Sequence, residues 1–188
     1  MKKIEYEIRF ANINKDKIRE RLKRLNFQLI LPETLTKRVV FRTKKYGKNN
    51  ICRWIRVRSI GEKTTLTAKE LIGDQKFPKE VEVEVGSFDN VVEILELAGL
   101  SRISYQETLR ESWKKDGVEI EIDTWPGINP SLEIETEKEK DLKKISKELG
   151  FEMKNGFIED MDKFYKRLTG KFLSEFEFVS FEKMFLRK

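Results

Sequence analysis

The sequence contains no histidine. That absence removes imidazole general bases, serine–histidine and cysteine–histidine nucleophile systems, and histidine-ligated zinc. Any catalysis must draw on carboxylates, lysine, arginine, tyrosine or a metal. A metal held only by carboxylate oxygens would be a hard one, Mg2+ or Mn2+. There is one cysteine, Cys52. It excludes an internal disulfide, makes a reducing compartment the default, and has no imidazole to activate it. The opening residues, MKKIEYE, lack an apolar signal core, and no stretch approaches about 18 uncharged apolar residues. A soluble, cytoplasmic protein without a membrane span is expected.

What is present is charge. Charged residues make up 38% of the 188, against an ordinary share of about a quarter. The net charge is only +6, so most of this charge is balanced, and more is available than a solvated coat requires. Thirteen phenylalanines supply apolar surface for a core.

Periodicity organises the chain into two similar runs. Residues 4–10 alternate Ile4, Tyr6, Ile8, Phe10 against Glu5, Glu7, Arg9, as in a half-buried strand. Asn14 caps a helix over 15–26, with Ile18, Leu22 and Leu25 at helical spacing. Strands follow at 37–42, 52–59 and 64–70, separated by breakers at 46–50, Gly61 and Gly73-Asp74. The order then restarts. A strand at 80–85 precedes a helix over 88–98, capped by Ser87 and stopped by Gly99. Strands at 105–113, 118–123 and 131–135 follow, then a helix capped by Thr136 that runs to Leu149, and another over 160–168. Eight strands can close into an antiparallel barrel or lie as an open α+β sheet with one wet face; periodicity does not choose.

The placement of charge favours the barrel. Single strands carry stacked charges of one sign: Glu80, Glu82, Glu84 on one, Glu119, Glu121, Asp123 on another, Glu133 and Glu135 on a third. Facing basic sets are Arg56 and Arg58, and Lys69 with Thr65 and Thr67. Cross-strand pairs favour opposite charges, so stacked glutamates need a cation or facing arginines. The expectation is an α+β, β-dominated, closed eight-stranded antiparallel barrel, or tunnel, built from two strand–helix–three-strand halves. Helices cover the apolar outside and charged residues line the lumen. Acidic and basic walls together suit a polyanion bridged by divalent cations, a linear triphosphate being the simplest.

Several segments in order then resemble one family. Glu5-Tyr6-Glu7-Ile8-Arg9 is similar to the ExExK opening of CYTH-domain proteins, the triphosphate tunnel metalloenzymes. Trp54-Ile55-Arg56-Val57-Arg58 resembles their RxR strand, and Thr65 to Glu70 their lysine strand. Residues 79–84 resemble their acidic fifth strand and 105–110 their basic sixth. Glu121-Ile122-Asp123-Thr124-Trp125-Pro126-Gly127 followed by Leu132-Glu133-Ile134-Glu135 resembles the Asp–Pro–Gly turn and FLEIE-type strand. The match runs over about residues 1–168. It implies Glu5, Glu7, Glu133 and Glu135 nearest a Mg2+ or Mn2+ ion, with Asp123 and Glu82 supporting a second metal or the attacking water. Glu5, Glu7 and Asp123 would then be catalytic. Arg9, Arg56, Arg58, Lys69 and Arg110 would hold phosphates.

The resemblance implies divalent-metal-dependent hydrolysis of inorganic tripolyphosphate or a nucleoside or thiamine triphosphate. The alternatives are cyclisation of ATP to cyclic AMP, or a non-catalytic polyphosphate or nucleic-acid binding module. The stacked glutamates argue against nucleic acid despite a pI near 9.2. The departures are Arg9 for lysine, Leu109 for a second basic residue on strand six, Lys37-Arg38-Val39-Val40-Phe41 for an Asp-x-Tyr pattern, and Asn129 for glycine. Residues 1–170 are the expected domain. The apolar tail 171–188 is expected to pack on its own barrel, with tunnel closure, a homodimer contact or a membrane surface as the other roles open to it.

Overall fold

A computed structural model describes residues 6–42, 51–72 and 79–187. Glu5 and the breakers at 46–50 and Gly73-Asp74 lie outside the described residues, as does the Cys52 side chain. The fold is β-dominated and antiparallel, as expected, with four α-helices among the described residues. It divides into two compact units, 1–34 with 108–172 and 35–107 with 173–188.

The first unit holds β1 (Tyr6–Phe10), α1 (Lys15–Arg24), the start of β2 (Gln28–Arg42) and the end of β6 (Ser101–Lys115). It continues with β7 (Val118–Thr124), β8 (Ser131–Thr136), α3 (Glu139–Glu148) and α4 (Met161–Thr169). β1 pairs with β8, β8 with β7, and β7 with the end of β6, all antiparallel. The period of two sends Ile8 and Phe10, Ile120 and Ile122, and Leu132 and Ile134 to one face, where all six are buried. Ile18 and Leu22 of α1 and Leu142 and Ile145 of α3 cover them. Truncating Ile120 or Ile134 to alanine would cost about 2–5 kcal/mol. Asp116 and Gly117, at φ 47° and 77°, form the two-residue turn between β6 and β7. That left-handed pair is what an Asp-Gly hairpin supplies.

The second unit holds the rest of β2, β3 (Ile51–Ile60), β4 (Lys63–Ile72), β5 (Lys79–Val85), α2 (Phe88–Leu97) and the start of β6. The pairs β2–β3, β3–β4 and β4–β5 are antiparallel. Val39, Phe41 and Val57 pack with Val92 of α2. Helix cover stops short of β5, where Val81 and Val83 remain 64% and 54% exposed, so the expectation that helices cover every apolar face fails there. The tail folds into β9 (Phe176–Val179) and β10 (Met184–Leu186). β9 runs parallel to β6, Tyr105 opposite Phe178, and the two rings stack at 4.5 Å.

Boundaries of three elements, β2, β6 and α3, differ from the sequence reading in ways that matter. β2 begins at Gln28, nine residues early, and runs through Pro32, a residue that ordinarily demotes a strand. Its ladder with β3 starts only at Thr36, beyond the proline that cannot donate. β6 begins at Ser101 and ends at Lys115. Thr136 does not cap α3; Lys138 stands at the N-cap with no side-chain bond, while the Thr136 hydroxyl donates to the Lys138 carbonyl.

Candidate metal and phosphate sites

In the first unit the face opposite the core is set by register. Arg9, Glu133 and Glu121 stand side by side across β1, β8 and β7. Glu7, Glu135 and Glu119 form the adjoining row. On the other side, Asp123 stands directly opposite Arg110 of β6. Two glutamates opposite one another, Glu121 and Glu133, repel unless a cation intervenes.

Two arginines do so. Arg110 donates from Nε and Nη2 to the two oxygens of Asp123 at 2.9 and 2.7 Å, and its Nη1 is 2.6 Å from Glu121. Arg9 Nη2 donates to Glu133 at 2.7 Å, and its Nη1 lies 3.3 Å from Glu7 and also donates to the Glu159 carbonyl. The loop before α4 is pinned to β1 by reciprocal backbone bonds between Arg9 and Phe157, 2.9 and 2.8 Å. Gly156 permits this approach, since a Cβ there would stand 2.9 Å from Phe10 Cε1 and closer still to Ile8. Asp160 then caps α4, accepting from the Lys163 N–H at 2.9 Å.

Carboxylate oxygens of Glu121, Asp123 and Glu133 all lie within 4.8 Å of one another, and could hold a metal ion. Asp123 and Glu133 are buried. Burial is the largest influence on Glu133, and repulsion from Glu121 and Asp123 adds to it. Against the attraction of Arg9 and Arg110, these push its carboxyl up to about 8. Burial works against the Arg110 charge, yet Asp123 and Glu121 hold its pKa above the usual value. Arg9 behaves likewise, with Glu133 and Glu7 overcoming burial. The donor set is all oxygen and acidic, the kind that hard divalent cations take.

In the second unit the face opposite Val39 and Val57 carries three rows. The first is Arg38, Arg58, Thr65 and Glu84; the second Val40, Arg56, Thr67 and Glu82; the third includes Trp54, Lys69 and Glu80. Lys69 Nζ is 2.6 Å from Glu80. Arg56 is 3.8 Å from Glu80 and 3.7 Å from Glu82, and Arg58 is 3.8 Å from Glu82. The Thr67 hydroxyl donates to Glu82 at 2.6 Å. That bond, with Arg58, Arg56 and Lys69, holds the Glu82 carboxyl below its usual range despite some burial. The face is basic, with oxygen-bearing neighbours, and suits phosphate.

The residues expected to serve the site are thus distributed. Glu7, Arg9, Arg110, Asp123, Glu133 and Glu135 share the acidic face of the first unit; Arg56, Arg58, Lys69 and Glu82 share the basic face of the second. Glu82, expected beside a metal, is bonded among cations, and the acidic group is completed by Glu121. Glu121 was visible as one of three stacked acids on its strand, but its place opposite Glu133 depends on register. Arg38 was read only as a departure from a pattern. Its alternation with Val39 and Phe41 was the available signal that it shares a face with the basic set.

Comparison with known proteins gives a family and a fold. A family model, the CYTH domain, matches residues 3–165. No curated protein matches the sequence. Among solved structures, a conserved hypothetical protein from Pyrococcus furiosus is 23% identical with a TM-score of 0.65, over 84% of this chain and 98% of that one. A candidate adenylate cyclase from Vibrio parahaemolyticus has a TM-score of 0.69 at 13% identity, over 88% of this chain and 99% of its own. A Hippeastrum protein, a candidate adenylyl cyclase described as having a dominant triphosphatase activity, has a TM-score of 0.54 at 17% identity, over 90% and 98%. Among the described residues no helix is long and apolar enough to cross a membrane. With a family model spanning most of its length and the fold of these structures, the chain belongs to the CYTH-domain family.

Proposed function

We propose that the chain hydrolyses a triphosphate, inorganic or carried on a nucleoside or thiamine, with Mg2+ or Mn2+ as cofactor. The observation that carries this reading is the convergence of Glu121, Asp123 and Glu133 within 4.8 Å, where the Glu133 charge is disfavoured by burial. Oxygens on opposite sides of Mg2+ stand about 4.2 Å apart at its usual bond lengths, so the spacing accepts the ion. A bound cation would supply neutralisation of phosphate charge and a lowered pKa for water.

Glu121, Asp123 and Glu133, with Glu5, Glu7 and Glu135, would hold that ion. Arg56, Arg58 and Lys69 bind and orient the phosphate chain and stabilise charge on the leaving group. Arg9 and Arg110 remain cationic throughout, because a guanidinium cannot accept a proton at working pH. The proton of the attacking water therefore goes to a carboxylate, with Glu5, Glu7 and Asp123 as its acceptors. The triphosphatase activity ascribed to the Hippeastrum protein supports the reading at the level of fold alone.

Phosphate release from tripolyphosphate, ATP and thiamine triphosphate, with either ion and with chelator, tests it. Chelation should abolish release, and release that persists would refute the metal requirement. The candidate cyclases among the related structures favour one second reading, attack by the ribose 3′-hydroxyl of ATP. Analysis of ATP products for cyclic AMP plus pyrophosphate, against orthophosphate, separates the two. Tight binding without release would mark a sensor.

A further inference from the structure

The two arginines of the acidic face are held in different ways. Arg110 gives three nitrogens to the acidic group: Nε and Nη2 to the two oxygens of Asp123, at 2.9 and 2.7 Å, and Nη1 to Glu121 at 2.6 Å. Among the described residues no other group holds this side chain by a hydrogen bond or an ion pair. Arg9 holds Glu133, but it is also tied to Glu7 and to the Glu159 carbonyl, and its backbone is bonded twice to Phe157. Its side chain is 9% exposed, against 20% for Arg110. Arg9 is fixed from several sides; Arg110 is held from one.

The carboxylates that hold Arg110 are two of the three that converge within 4.8 Å. A Mg2+ ion bonds oxygen at about 2.0–2.1 Å, so it draws on the same lone pairs as the guanidinium. Two cations on one pair of carboxylates also repel each other, most strongly where burial limits screening. Asp123, at 5% side-chain exposure, must nevertheless stay neutralised, so one cation has to follow the other. A guanidinium that leaves a carboxylate needs another anion, and phosphoryl oxygens accept it in the same two-bonded geometry.

We propose that Arg110 is an exchangeable arm: it neutralises Asp123 and Glu121, yields their oxygens to a divalent cation, and then binds the phosphate chain. Metal and phosphate are coupled through this side chain, each favouring the other, because coupling between two ligands is reciprocal. The exchange takes its metal and its anion from the proposed function, but it concerns the link between them, which binding reads without turnover.

The test is calorimetric titration of the full chain with Mg2+ at pH 9, and with tripolyphosphate in the presence of Mg2+ or of chelator. Arg110→Met removes a competitor of the ion and should bind Mg2+ about tenfold more tightly than the wild type. A residue that only shaped the site would act oppositely, so weaker Mg2+ binding by the variant overturns the proposal. With saturating Mg2+ the variant should bind tripolyphosphate about tenfold more weakly than the wild type, and with chelator within about twofold. Equal loss under both conditions would mean that Arg110 faces phosphate throughout, and overturns the exchange. Arg110→Lys keeps the charge but cannot grip both Asp123 oxygens, and its Mg2+ affinity should fall between the two. In NMR spectra of the wild type, the Arg110 Nε–H signal, assigned by its loss in Arg110→Lys, should move on adding Mg2+ and again on adding tripolyphosphate. A signal that stays in place through both additions overturns the proposal, even if Arg110→Met fails to fold. Exchange without phosphate release would overturn the hydrolase reading and leave the arm standing. A wild type that binds no Mg2+ would overturn both.

Discussion

Arg9 and Arg110 of the first unit sit closer to their carboxylates than Arg56 and Arg58 of the second do to Glu80 and Glu82. Arg9 and Arg110 lie 2.6–2.9 Å from Glu133, Glu121 and Asp123, with Arg110 gripping Asp123 by both oxygens. Arg56 and Arg58 stand 3.7–3.8 Å from Glu80 and Glu82, beyond hydrogen-bond reach. Both faces arise from the same alternation on antiparallel strands, so backbone geometry does not explain the contrast. Burial does. Where carboxylates are stripped of water they must be neutralised locally. Where glutamates are partly solvated, as Glu80 and Glu82 are at 38% side-chain exposure, water shares in their neutralisation and close pairing is less demanding.

Substitutions in the acidic face should have the largest effect. Glu121→Gln or Asp123→Asn should cut Mg2+-dependent phosphate release about 100-fold or more and weaken metal binding in titrations. If release survives both changes, the acidic group is structural and the comparison collapses. In the basic face, Arg56→Ala or Lys69→Ala should raise KM by about tenfold, while the metal concentration for half-activity stays where it was. A shift in that metal concentration would show the two faces to be less distinct than their distances suggest.

The pH dependence sharpens the contrast further. The Glu133 carboxyl, pushed up to about 8 by burial, should hold its proton at neutral pH in the metal-free protein. Metal must displace that proton, so affinity should rise with pH, by up to about tenfold per unit below 8, and level off above it. Glu133→Gln should flatten the profile, which metal titrations between pH 6 and 9 would record. An unchanged slope in the variant would assign the proton to another group. Phosphate-face substitutions should leave the slope alone.

The smallest expected effect concerns the loop beside Arg9. Asp160→Ala removes the N-cap of α4 and should cost about 1 kcal/mol in denaturant unfolding. Burial opposes the Asp160 charge, but the Lys163 backbone and side chain and Arg9 hold the carboxyl below its usual range. A depressed carboxylate stabilises the fold at pH above its unfolded pKa, and that contribution is lost as pH falls through the folded value. The difference between wild type and Asp160→Ala should therefore shrink in acid. A constant difference would mean the charge contributes nothing.

Much of the fold was legible because strands announce their faces. Ile8 and Phe10, Ile120 and Ile122, and Leu132 and Ile134 alternate with charge, and each sits where that alternation sends it. The early half of β2 was not legible, because Pro32 reads as a break and nothing local reveals that a strand passes through it. Cover over β5 was also overestimated, since a valine-bearing face says nothing about whether a helix reaches it.

The amino-acid order by itself determined which side chains share a face, which helices begin at Asn14, Ser87 and Asp160, and that no imidazole was on offer for a metal. Those are consequences of period, capping chemistry and residue inventory, all local. Tertiary structure alone decided that Glu121 meets Glu133, that Arg38 meets Arg58, and that both long strands, β2 and β6, pass from one compact unit to the other. The physical reason is register. A slip of two residues would preserve every face, yet place different charges opposite one another, and only the packed sheet selects among those slips.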